Sequence, residues 1–148
     1  MTYLDIAAIL CIGLMIGAGF AVSVFLNPVV WKLDNHAQVR TIRLFAARLG
    51  KAMPFWYALS LLFLISETIL RRHQPGFASL LAASAIWAAV IVLTIVFLVP
   101  INNRLAQMGI NAHATRALRE HHRWDTLHRA RIAALAVAMF TFLIAIRV

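Results

Sequence analysis

The chain has 148 residues, 63% of them apolar and 13% charged, with a mean hydropathy of +0.85. Water-soluble domains run nearer half apolar and a quarter charged, so this composition excludes a soluble globule, a disordered tail and a collagen-like repeat, and points to a membrane protein. Fourteen Lys and Arg against five acidic residues leave a formal charge of +9, and Cys11, the only cysteine, excludes an intrachain disulfide or a site of several thiolates.

A helix needs about 20 apolar residues to cross roughly 30 Å of hydrocarbon. Four stretches qualify, predicting an all-α integral membrane four-helix bundle that forms one domain over residues 1–148. The first span, about 4–31, is free of charge from Ile6 to Trp31. It carries Asp5 and no basic leader, so it reads as a span and not as a secretory signal. Within it Gly13 and Gly17 form a G-x-x-x-G pattern, extended by Gly19, which serves close packing inside the bundle or a homo-oligomer contact. Asp34-Asn35 then cap an amphipathic interfacial helix with Val39, Ile42, Phe45 and Leu49 on one face, punctuated by Gly50 and Pro54.

The second span, about 53–70, has Glu67 inside its apolar run, four residues before Arg71 and so at the spacing of a helix ion pair. The third, about 77–99, closes at Pro100. Asn111 caps a further helix that passes through a basic stretch into the fourth span, about 124–147. No internal repeat, low-complexity tract or flexible linker is expected.

Charge orients the bundle. Lys32, Arg40, Arg43, Arg48 and Lys51 lie between spans one and two. Arg104, Arg116, Arg119, Arg123, Arg129 and Arg131 lie between three and four, whereas the connection between two and three has only Arg71 and Arg72. By the positive-inside rule both long connections face the cytoplasm and both termini lie outside, the arrangement expected in a bacterial inner membrane. The positive charge then belongs to topology and anionic headgroups, with the lipid bilayer as partner and no role for nucleic acid.

Polar residues near a bilayer are informative because each costs free energy unless it is paired or wet. Asn27 ends span one, Asn102 and Asn103 follow span three, and Trp124, His128 and Arg131 lead into span four, all on the cytoplasmic side. Trp124, His128 and Arg131 stand at i, i+4 and i+7 and form one helical stripe, extended by His121. Singly, the Trp reads as a belt anchor, the Arg as a topology signal and the Asn residues as helix-end caps; together the residues predict a cytoplasm-facing pocket. His121, Asp125 and His128 share the same spacing and are the candidate metal ligands, although Asp125 has Arg129 as an alternative partner and no metal motif is present. A haem would call for histidines inside the apolar runs, and none of the six histidines lies there.

The segments Gly13–Pro28, Val99-Pro-Ile-Asn-Asn-Arg-Leu105 and Trp124-Asp-Thr-Leu-His-Arg-Ala-Arg131 resemble the small four-span anthrone oxygenase-like membrane proteins, and bacterial members in particular. That family has a glycine-rich first span, a V-P-hydrophobic-N motif after the third and a W-x3-(H/N)-x2-R motif entering the fourth. The resemblance implies a membrane-bound monooxygenase that turns an activated methylene of an apolar aromatic, anthrone- or phenol-like substrate into a carbonyl with dioxygen. It carries Asn102, Trp124, His128 and Arg131 over as site residues.

On this reading His128 removes the methylene proton, Arg131 steadies the phenolate, and Asn102 or Asn103 donates to a carbonyl oxygen. Trp124 offers a flat wall, Asn103 and Asn27 complete the substrate site, and no cofactor is required. The alternatives are a bundle without chemistry that binds a lipid, quinone or partner subunit, and a His-ligated metal or haem protein.

Overall fold

The structure, a computed structural model, describes residues 2–108 and 114–147. In chain order the elements are α1 (Tyr3–Ala21), a π turn (Val22–Leu26), α2 (Asn27–Val30), α3 (Asn35–Leu70), α4 (Phe77–Leu93), a second π turn (Thr94–Leu98), α5 (Val99–Gln107) and α6 (Ala114–Ala145), with no strand among the described residues. Four continuous helices, Tyr3–Val30, Asn35–Leu70, Phe77–Gln107 and Thr115–Ala145, are long and apolar enough to cross a membrane. The protein is an all-α integral membrane bundle. Its outward faces carry Leu10, Leu14, Leu62, Leu81, Val92 and Phe140, all exposed, as a surface solvated by lipid must.

Local signals account for the helix starts. Thr2 and Asp5 form a reciprocal capping box that opens α1, and the Asp34 carboxylate accepts the Ala37 N–H at 3.0 Å to open α3. The expected Asn111 cap lies outside the described residues. Gly50 and Pro54 do not separate an interfacial helix from span two: α3 runs unbroken for 36 residues. Pro54 forfeits one backbone bond, a cost of about 3 kcal/mol or more. Buried residues on both sides of it, Val39, Ile42 and Ala46 before and Tyr57 and Leu64 after, hold the axis continuous against α4 and α5. At 1.5 Å per residue the helix is about 54 Å long, so its first half projects beyond the hydrocarbon.

The two halves of the chain share one plan, contrary to the expectation of no repeat. Each has an apolar helix, a π turn, a short helix with a proline at its second position, and then a long helix. The signature is five residues long, Val24-Phe-Leu-Asn-Pro28 and Val96-Phe-Leu-Val-Pro100. A proline has no N–H for the carbonyl four residues back and its ring crowds that carbonyl, and a π turn just before it absorbs the misfit.

Two apolar clusters fill the bundle. The larger gathers Ile12, Met15, Tyr57, Leu64, Leu80, Trp87, Leu135 and Phe142; the smaller, toward the basic connections, gathers Val30, Ile42, Leu98, Ile101, Leu105 and Trp124. Buried indoles find backbone acceptors, Trp56 Nε1 donating to Cys11 O at 3.0 Å and Trp87 Nε1 to Tyr57 O at 3.2 Å. Gly13 faces Met139 of α6, while Gly17 has open space beside it.

At the end away from the basic connections the expected Glu67–Arg71 ion pair is present, Nε to Oε2 at 3.0 Å. The same guanidinium also reaches across to Asp5, with Nη2 at 2.7 Å from Oδ1 and 2.9 Å from Oδ2, and so ties α1 to α3.

Candidate active site

The site is built on α6. Trp124, His128 and Arg131 share a face, as their spacing requires, and the Trp124 and His128 rings stack with centroids 4.5 Å apart and planes 14° from parallel. His121 stacks on the other side of Trp124 at 5.9 Å. Trp124 and His128 are almost wholly buried.

His128 is fixed by both ring nitrogens. Nε2 lies 3.0 Å from the Gly19 carbonyl oxygen, which can only accept, so Nε2 carries the proton and donates. Nδ1 therefore holds the lone pair, and it accepts from Arg131 Nη2. Gly19 leaves room here for Ile132: a Cβ would overlap the end of the Ile132 side chain and only touch the His128 ring at 3.5 Å. The expected free base is thus a bridge between a backbone carbonyl of α1 and a guanidinium.

Arg131 has the least usual surroundings in the molecule. Its guanidinium carbon sits 5.4 Å from the centroid of the Tyr57 ring, and its Nε is buried without a hydrogen-bond partner. Among the described residues no carboxylate pairs with it. The residue lines a cavity of about 570 Å³ whose remaining walls are mostly apolar, among them Met15, Met53, Leu61 and Ile91. That volume suits an aromatic molecule of a few rings. Trp124, His128, Asn102 and Asn103 reach the same cavity from two spans.

A family model described as anthrone oxygenase matches residues 40–141. The chain belongs to the anthrone oxygenase family. No curated protein and no solved structure matches it. The matched stretch contains the asparagine pair and the whole Trp124–Arg131 stripe, whereas the glycine-rich first span lies outside it.

Not every expected site residue of this family member reaches the cavity. Asn27 is buried on another side of α6, where its Nδ2 donates to Asp125 Oδ1 at 2.5 Å, and it borders a separate small pocket beside His121. It pins α2 to α6 and does not line the larger cavity. Asn102 lines the cavity but spends one N–H on the Ala46 carbonyl at 2.8 Å, clamping α5 to α3. Gly50 makes room for that clamp, since a Cβ there would overlap the Asn102 amide.

The candidate ligand trio does not converge. Asp125 is held by Asn27 and, at 2.9 Å, by Arg129. His128 is engaged at both nitrogens, and His121 lies about 10 Å further along the helix, wedged between Trp31 and Trp124. Among the described residues no three His, Cys, Asp or Glu side chains are grouped to hold a metal.

Three members of the site escaped sequence reasoning. Tyr57 was one aromatic in an apolar run, and only the turn of α3 brings its ring face to Arg131. The Gly19 carbonyl is a backbone group 109 residues from its partner. The π turn from Thr94 to Leu98 contributes Thr94, Ile95 and Leu98 to the cavity wall. Its signal, the repeated V-F-L-x-P, was present in the sequence but short.

Proposed function

We propose that the protein is a membrane-bound oxygenase acting on an apolar aromatic substrate with a weakly acidic methylene conjugated to a ring oxygen. One observation carries this reading: an arginine with no carboxylate partner among the described residues, in the wall of an otherwise apolar cavity. An unpaired cation in low dielectric is costly, and an anionic oxygen that forms during reaction recovers that cost in the transition state.

The hydrogen bonds suggest an order of events. The substrate oxygen draws Arg131 Nη2 away from His128, and the freed Nδ1 lone pair becomes the base. The methylene C–H bond breaks, its proton goes to Nδ1, and its electron pair delocalises onto the oxygen held by Arg131. The carbanion carbon gives an electron to dioxygen and combines with the superoxide so formed. The proton on His128 passes to the resulting peroxide anion. The remaining C–H bond then gives its proton back to His128 Nδ1 while its electron pair forms the C=O bond, and the O–O bond breaks with loss of hydroxide, which takes that proton and leaves as water. In sum, one methylene and one dioxygen give one ketone and one water, a four-electron oxidation of carbon matched by the four-electron reduction of dioxygen. This route calls on no metal or other cofactor. Trp124 supplies the flat wall and Asn103 a donor for a second substrate oxygen.

By its charge the basic end faces the cytoplasm, which puts the cavity in the inner half of the bilayer. The test is dioxygen uptake by purified protein given anthrone. The expected outcome is a ketone product at one dioxygen per substrate, lost in Arg131→Gln. Uptake at the uncatalysed rate for anthrone and for related hydroxyaromatic methylenes, alongside a stoichiometric lipid or quinone found by mass spectrometry, would replace this reading with that of a binding bundle.

A further inference from the structure

The cavity is sealed at one end and exposed along one side. At the basic end the Asn102–Ala46 bond and the packed residues Val30, Ile42, Leu98, Ile101 and Leu105 narrow it, while Gly50 and Asn103 line it and are exposed. At the opposite end the larger cluster, with Trp87 and Leu64 fully buried, seals it. Along the side, Pro54, Ala58, Leu62 and Ile65 share one face of α3; all four line the cavity and all four are exposed. Ile95 in the second π turn does the same from span three, and Leu62 and Ile95 are each 60% exposed. In a membrane-spanning helix such exposure is to lipid.

The cause lies in the backbone. Helix α3 packs against α4 on one side of the π turn and against α5 on the other, but scarcely against the turn itself. The local widening at Thr94–Leu98 therefore leaves a gap between spans two and three, with Arg131 and His128 lining the chamber behind it.

Resting on the oxygenase reading above, we propose that the cavity is loaded sideways from the bilayer, through a window between α3 and the Thr94–Leu98 turn, by a neutral weak acid that ionises only on reaching Arg131. Hydrocarbon admits the neutral phenol or enol and rejects its anion. The exposed residues of the window rim, Pro54, Ala58, Leu62, Ile65 and Ile95, are all apolar, and the cationic group lies in the chamber they border. Substrate class follows: lipid-dissolved molecules with an acidic hydroxyl or an enolisable ketone, and not permanently charged ones.

The test uses the full chain in nanodiscs mixed with 1-hydroxypyrene, a neutral phenol, and follows energy transfer from the native tryptophans by stopped flow. Partitioning into the bilayer gives a fast phase and cavity loading a slow one. Leu62→Phe with Ile95→Phe narrows the rim and should slow the loading phase about fivefold or more, with much less effect on final occupancy. Leu62→Ala with Ile95→Ala should speed it. Arg131→Gln should abolish it. The trisulfonated analogue of the same ring, confined to water, should neither bind nor compete.

A loading rate indifferent to both window pairs, absence of the slow phase in the unmodified protein, or competition by the sulfonated analogue would overturn the proposal. Because binding is read without turnover, window-dependent loading in a protein that consumes no dioxygen would sink only the oxygenase reading. Turnover with window-independent loading would sink only this one.

Discussion

Two arginines, Arg71 and Arg131, sit at opposite ends of the bundle in similar shelter and meet opposite partners. Arg71 is gripped by Asp5 through two contacts and by Glu67 through one, so two carboxylates face one guanidinium. Arg131 meets an imidazole nitrogen and the face of a phenol ring. The first arrangement spends all its charge on joining α1 to α3. The second leaves a cation uncompensated by any described carboxylate at the wall of an apolar chamber, which fits the anion-stabilising role proposed for it. What an arginine does in a membrane protein is thus decided by what neutralises it.

Breaking the closed end should have the largest effect. Arg71→Gln leaves the Asp5 and Glu67 carboxyls buried without their cation and should destabilise the bundle by about 3–5 kcal/mol, read as a lower thermal midpoint in detergent. Activity per folded molecule should stay near normal, and an intact midpoint would show the cluster to be ornamental. At Arg131 the signs reverse. Arg131→Gln should cost about 10²–10³-fold in turnover while leaving the thermal midpoint unchanged or higher, since it removes an unpaired buried charge. A collapse of the fold would mean that Arg131 is structural after all.

The positioning of His128 gives a smaller and sharper test. Gly19→Ala forces the Ile132 side chain to shift beside His128 and should cost about 1 kcal/mol of stability. Its kcat should fall more than its KM rises, with partial recovery when Ile132→Ala makes room. Loss of stability alone, at constant kcat, would remove the Gly19 carbonyl from the arrangement. His128→Ala should lower turnover about 10²-fold or more in a protein that still folds. The smallest effect belongs to Asn27→Ala, about 1–2 kcal/mol from an unsatisfied Asp125 oxygen, with KM unaltered. A raised KM would return Asn27 to the substrate site.

Much of this was legible in the order of residues. Four apolar runs predicted the four membrane helices, and the spacing of Trp124, His128 and Arg131 predicted their common face, because a helix repeats every 3.6 residues whatever surrounds it. Glu67–Arg71 was legible for the same reason. Asp5 was not, since its contact with Arg71 spans 66 residues and depends on how two helices lean together. Pro54 misled as a helix stop because propensity is local and the packing that overrides it is not. Asn27 misled in a different way: it lies at the expected end of the bundle, and only the rotation of α6 decides whether it meets Asp125 or the cavity.

The sequence by itself determined the solvent of this protein, the number of its long apolar helices, the end at which its positive charge gathers and the residues that share a stripe on its last helix. These follow from hydrophobic free energy and helical periodicity, which act over neighbouring residues. The tertiary structure alone decided that Arg131 meets no described carboxylate, that both nitrogens of His128 are engaged and that exposed apolar residues of α3 line the chamber. Each of those depends on which faces of separate helices come together, and no rule written on one helix contains that information.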